Sequence, residues 1–250
     1  MDAIATDRHA PAPLAAPRAR IGLIVPSVNT LSEPQFNRYA PPALSVHAAR
    51  ARVAGEWKRP LAAMAEEIAL AARLLADCGP DLIVFHCTDT SMTEGPEGEG
   101  RILDIVRDAS GVEALATSRL VLDALQALAM RSVVVISPYR SNENVVRYLA
   151  AAGLTVVHDV ALGLTGREFA SVPPQRWLAL AQEHDRPAAD GIFLSCTNTT
   201  QLEAVADIER ALGKPVVNSN QAVLWGCVKR LGSALGPLPP MPALGRLMAQ

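Results

Sequence analysis

The chain has 250 residues, half of them apolar and 19% charged, enough to bury a substantial core; this excludes a largely disordered chain and suits one large domain or two half-size ones. The formal charge of −2, with acids and bases mixed along the sequence, offers no basic field for nucleic acid or an anionic membrane. No apolar run is long enough to span a bilayer, and Cys78, Cys87, Cys196 and Cys227 lack the paired spacing of a zinc site, so we expect a cytoplasmic protein with reduced thiols, no metal and a small-molecule partner.

Residues 1–19, rich in Ala and Pro with scattered charges, predict a disordered tail. Beyond it, Ile/Val-rich runs alternate with Ala/Leu-rich stretches of helical period. In chain order the pattern predicts strand Ile21–Val25, helix Leu61–Cys78, strand Leu82–His86, helix Ser118–Met130, strand Ser132–Ser137, helix Ser141–Ala152 and strand Thr155–Asp159. Helix Gln175–Glu183, strand Ile192–Ser195, helix Thr200–Leu212, strand Pro215–Val217 and helix Gln221–Leu231 follow. The acidic, glycine-rich run Glu94-Gly-Pro-Glu-Gly-Glu-Gly100 lacks the Gly-Lys-Ser/Thr ending of a phosphate loop and reads as a solvated loop, with a mobile lid as the alternative.

The sequence also repeats itself. Asp81-Leu-Ile-Val-Phe-His-Cys-Thr-Asp-Thr90 aligns with Asp190-Gly-Ile-Phe-Leu-Ser-Cys-Thr-Asn-Thr199, Arg20-Ile-Gly-Leu-Ile-Val-Pro with Arg131-Ser-Val-Val-Val-Ile-Ser-Pro, and Gly111-Val-Glu-Ala with Gly213-Lys-Pro-Val. We therefore expect an α/β protein of two similar Rossmann-like parallel-sheet halves, 20–130 and 131–220, related by a pseudo-twofold with the active site between them. Residues 221–250 add a C-terminal helix and tail, whose return to the first half is left open.

Ligands of open parallel sheets bind beyond the carboxyl ends of the strands, so each half presents a cysteine, Cys87 or Cys196, to a shared cleft. The opposing reading is that both are small buried hydrophobes, which remains our reading of Cys78 and Cys227. Two opposed thiols can move protons on either face of a carbon beside a carboxylate, or one can add to an activated double bond, without metal or organic cofactor. The segments after the cysteines, with Thr88 and Thr197, supply backbone N–H groups and hydroxyls to an anion. Pro26-Ser-Val-Asn-Thr30 contributes Ser27 and Asn29, and Ser137-Pro-Tyr139 contributes Tyr139, as candidate carboxylate ligands, although both runs also suit helix capping. Asn218 is a secondary candidate at the cleft edge. His86, one residue before Cys87, points to the other sheet face and is expected to be packed rather than a base.

These residues resemble the aspartate/glutamate racemase superfamily, in its maleate isomerase and arylmalonate decarboxylase branch. The likeness spans Arg20 to Gly232 and rests on Gly22-Leu-Ile-Val-Pro-Ser-Val-Asn-Thr30, Cys87-Thr88, Ser137-Pro-Tyr139, Asp190-Gly-Ile-Phe-Leu-Ser-Cys196, Ile208–Val217 and the Ala222/Trp225 region. The decarboxylases typically keep only the second cysteine, whereas the isomerases have both and an Asn at the position of Asn29. The resemblance thus implies a cofactor-independent isomerase in which Cys87 adds to a cis double bond, the adduct rotates, and Cys196 assists proton movement, with Asn29 and Tyr139 on the carboxylates. One departure is Gly163-Leu-Thr-Gly-Arg-Glu168, where the isomerases carry a carboxylate-binding Asn; Arg167 is the candidate replacement. Relatives of this kind are often homodimers, but no interface is readable here. The expected partner is a small mono- or dicarboxylate substrate, and three alternatives stay open: a malonate-type decarboxylase, a racemase of amino or hydroxy acids, and a non-catalytic small-molecule binding protein.

Overall fold

In the computed structural model, residues 16–93 and 95–250 are described; most of the predicted tail, and Glu94, lie outside them. The first sheet joins β1 (Ala19–Pro26), β2 (Leu44–Ala51), β3 (Leu82–Phe85) and β4 (Ala114–Ala116) in the order β2-β1-β3-β4. The second joins β5 (Ser132–Ser137), β6 (Thr155–Ala161), β7 (Gly191–Leu194) and β8 (Val216–Asn218) in the order β6-β5-β7-β8. All neighbouring strands are parallel, so the repeated sequence is a repeated topology.

The repeat also performs the same local tasks twice. The Asp81 carboxylate accepts from Arg20 N–H at 2.8 Å, and that of Asp190 accepts from Arg131 N–H and Ser132 N–H, both at 2.8 Å, tying the base of the third strand to the first in each sheet. Gly111 and Gly213 both end a helix with φ near +70° (70° and 69°), a conformation that costs glycine little because it has no Cβ.

Nine α-helices are described. They are α1 (Ser32–Tyr39), α2 (Leu61–Ala76), α3 (Thr88–Thr93), α4 (Gly95–Ser110), α5 (Thr117–Ala127), α6 (Glu143–Ala151), α7 (Pro174–His184), α8 (Val205–Leu212) and α9 (Ser219–Leu235). Alternation along each strand sends side chains to both faces. Ile24, Ile83 and Phe85 meet α2 and α4, while Ile21, Leu23 and Val84 meet α1 and α9. In the second sheet Val134, Ile136 and Ile192 pack against α7 and α8, and Val133, Val135 and Phe193 against α5 and α6.

Helices α5 and α9 bridge the two sheets: Leu120 of α5 stays with the first core and Ala222 and Trp225 of α9 with the second, but each helix also packs on the other sheet. Helix α5 follows β4 yet sends Val121 and Leu125 into the core of the second sheet, while α9 follows β8 yet sends Val223, Leu224 and Cys227 onto β1 of the first. The two helices touch where α9 has Gly226: a Cβ there would lie 2.6 Å from Leu120 Cδ2, so any larger residue forces the Leu120 side chain to move. Beyond α9 the chain is packed, with Leu244 and Leu247 buried and Gln221 Nε2 donating to Leu244 O at 2.6 Å. Among the described residues no helix is long and apolar enough to cross a membrane.

Residues 95–100, expected as a solvated loop or lid, are instead the first turns of α4. Glu99 on this segment is buried and accepts hydrogen bonds from Ser118 on α5 and Tyr148 on α6, which fixes the helix start against both neighbours. The predicted helix 200–212 is also divided, into a 3₁₀ turn at Thr200–Ala204 and α8.

Candidate active site

Cys87 follows β3 at the start of α3, and Cys196 follows β7. Only 4% and 5% exposed, they nevertheless line one cavity of about 710 Å³ between the two sheets. Its wall also includes Asn29, Thr88, Tyr139, Arg167 and Thr197, five of the residues singled out in the sequence. His86 turns away from the cavity, edge-on to Phe36 at 5.3 Å and with Nδ1 3.2 Å from Thr117 Oγ1. Burial holds its pKa down at about 3, so the imidazole is neutral.

The two thiols are not equivalent. Cys196 has φ +152°, a region that L-residues rarely adopt and that costs about 1–3 kcal/mol. Its backbone is held there by the Cys196 N–H, which donates to Ser219 Oγ at 3.2 Å, while Asn198 N–H donates to the sulfur at 3.3 Å. Cys87 needs no such backbone; its thiol donates to Thr90 Oγ1 at 3.2 Å, and that hydroxyl donates to Val53 O at 2.7 Å. Burial raises both pKa values. Cys196 is pushed up to about 12 against the opposing pull of Asn198 N–H and the Tyr139 hydroxyl, whereas Cys87 is raised against the pull of Thr90 and Lys58. Tyr139, itself held well above the usual phenol range chiefly by burial, stacks edge-on against Phe169 at 5.7 Å.

A seam of polar groups joins the halves beneath the thiols. Asn29 Nδ2 donates to Thr197 O and Thr197 Oγ1, both at 3.2 Å, and to Ser32 Oγ at 2.9 Å, while Asn29 Oδ1 accepts from Leu31 and Ser32 N–H at the start of α1. Thr88 Oγ1 donates to Ser219 Oγ at 2.8 Å, so Ser219 ties the segment after Cys87 to the backbone of Cys196. Asn198 accepts from Thr30 N–H at 2.9 Å. Asp89, its counterpart in the repeat, pairs with Lys58 Nζ at 2.5 Å and accepts from Asn144 Nδ2 of the other half at 3.3 Å.

Two expected ligands lie outside the wall. Ser27 is half-buried with its backbone N–H donating to Ala51 O at 2.8 Å, and Asn218 is the N-cap of α9, accepting from Asn220 N–H at 2.9 Å and Gln221 N–H at 3.3 Å. The residue that reaches both cysteine segments is instead the next one, Ser219, inside an Asn-Ser-Asn run whose capping chemistry masked it. Lys58 lines the cavity with no signal in the sequence. Among the described residues no group of three or more His, Cys, Asp or Glu is placed to hold a metal.

Two sheets of like topology, each delivering a buried cysteine to one polar cleft, define a racemase-like α/β protein. The family model for arylmalonate decarboxylase matches residues 21–244. The chain belongs to this family, which also holds the maleate isomerases. It is 29% identical to a maleate isomerase of Nocardia farcinica over 92% of its own length and 96% of that protein's. It is 32% identical to an arylmalonate decarboxylase of Bordetella bronchiseptica over 74% and 78%. Among solved structures it is similar to a cysteine-to-serine variant of the Nocardia farcinica maleate cis-trans isomerase with a covalently bound succinylcysteine intermediate (TM-score 0.81, 28% identity, 92% and 98% of the two chains).

Proposed function

We propose that the chain is a cofactor-independent isomerase of a small cis-dicarboxylate of the maleate type, with Cys87 as nucleophile and Cys196 as proton donor and acceptor. The observation that carries this reading is the burial of one thiol from each sheet in the same cavity. Cys87 thiolate adds to one olefinic carbon, the π electron pair moves to the other and into its carboxylate, and that carbon takes the proton of the Cys196 thiol. Rotation about the new single bond precedes elimination, in which Cys196 thiolate recovers the proton and the C–S bond breaks, so no proton or electron is consumed overall. A thiol with a pKa of about 12 is fully protonated at neutral pH, which suits the donor role. The developing enediolate is stabilised by the Tyr139 and Thr197 hydroxyls and by N–H groups around Thr88 and Thr197. Asn29, whose amide is committed to Ser32 and Thr197, acts by orienting Thr197.

The 32% identity to an arylmalonate decarboxylase supports a second reading, in which Cys196 protonates the enediolate left after carbon dioxide departs. The cysteine at 87 distinguishes the two, since decarboxylation gives it no bond to make. The test is incubation with maleate in deuterated buffer, following the olefinic protons by NMR. Fumarate formed by the wild type and lost in both Cys87→Ser and Cys196→Ser supports the isomerase; α-aryl malonate turnover that survives Cys87→Ser supports the decarboxylase and overturns it.

A further inference from the structure

The Thr197 and Tyr139 hydroxyls supply uncharged donors to the cavity, which suffice for one carboxylate. A second carboxylate beside the first adds like-charge repulsion to its desolvation, and a cation offsets both. Three cations line the wall: Lys58, Arg140 and Arg167. Arg140 and Arg167 are exposed at the rim, where solvent and salt weaken their fields. Lys58 differs from both, because its side chain is only 25% exposed and Asp89 fixes its ammonium at 2.5 Å. That carboxylate stands two residues beyond Cys87 and is itself held by Asn144 of the other half. An ammonium has three donors, and Asp89 is the partner of Lys58 among the described residues, so donors remain for an incoming anion.

We infer that Lys58 is a specificity-determining residue that receives the second carboxylate of the substrate, held in place for that task by Asp89, and so selects dicarboxylates over monocarboxylates. This rests on the functional reading above and goes beyond it: the sequence had offered Arg167 as the replacement anion ligand. The cavity of about 710 Å³ is in the range that encloses drug-sized ligands, so the selected diacid can carry substituents beyond a four-carbon skeleton.

The test is calorimetric binding of succinate and its monoamide, succinamate, to wild type, Lys58→Met, Lys58→Arg and Arg167→Met, each checked for folding by circular dichroism. These ligands have no double bond, so the measurement is independent of turnover. Lys58→Met is expected to weaken succinate about 10- to 100-fold. The same variant should leave succinamate within about threefold, and Arg167→Met should leave both ligands within that limit. Lys58→Arg, which keeps the charge, should keep most of the preference for the diacid. The inference is overturned if Lys58→Met weakens both ligands equally or neither, if Arg167→Met has the larger effect, or if wild type fails to prefer succinate. Lys58-dependent succinate binding without isomerisation of maleate would sink the isomerase reading alone; isomerisation with Lys58-independent binding would sink this inference alone.

Discussion

Cys87 should be alkylated ahead of Cys196, because only the thiolate attacks iodoacetamide and Cys196 is the thiol held as the proton donor. With a pKa of about 12, Cys196 is about one part in 10⁴ thiolate at pH 8, and that fraction grows about tenfold for each pH unit up to pH 11. Burial raises the Cys87 thiol as well, but the Thr90 hydroxyl and the Lys58 ammonium oppose it, and on the proposed roles Cys87 is the thiol that reacts first. The assay is peptide mapping by mass spectrometry after timed alkylation at pH 7, 8, 9 and 10, in a Cys78→Ala background that removes the exposed thiol. Cys87 adducts should appear first, and the Cys196 rate should climb through pH 10 without a plateau. Tyr139→Phe removes a hydrogen bond that favours the Cys196 thiolate and should slow its labelling by about tenfold more. A Cys196 rate that levels off below pH 9, or that exceeds that of Cys87 at pH 7, would refute the assignment of donor and nucleophile.

Cys227, on the face of α9 packed against β1 and with its pKa pushed up to about 12 by burial, favours the folded state only while protonated; the stability it protects is complete below the unfolded thiol pKa and drains away as pH rises toward 12. Urea unfolding should therefore show about 2 kcal/mol more loss between pH 7 and 10.5 in wild type than in Cys227→Ala, and equal losses would contradict it. Gly226→Ala places a methyl against Leu120 Cδ2, whose side chain can yield in part, so about 1–2 kcal/mol of destabilisation is expected in the same assay.

The elements legible in the sequence were those whose burial is carried by their own side chains. Strand β5 matches its predicted bounds, Ser132–Ser137, because all but its first residue are buried aliphatics or a buried serine. Strand β2 was missed: Leu-Ser-Val-His-Ala-Ala-Arg-Ala is a half-exposed edge strand with neither alternation nor a β-branched run, and it is held by its parallel register with β1. Strand β4, Ala-Leu-Ala, is too short for a period, although the repeat had marked the glycine before it. Helix α4 was hidden by Gly and Pro at its start, residues tolerated in a first turn, and its evidence lay in the distant partners Ser118 and Tyr148. The thiols were visible because the repeat puts them in register; Lys58 was not, because what places it in the cleft is Asp89, 31 residues along the chain.

The bridging of both sheets by α5 and α9 bears on how the protein is made. During synthesis the first sheet emerges with β1 to β4 complete, but one of its faces, covered in part by Phe36 and Leu120, is not fully closed until residues 219–235 leave the ribosome more than a hundred residues later. An apolar sheet face left waiting that long is a target for misassembly or chaperone capture. The duplication written in the sequence therefore does not create two separately maturing units: the nascent first half depends on the last long helix of the second to close its core.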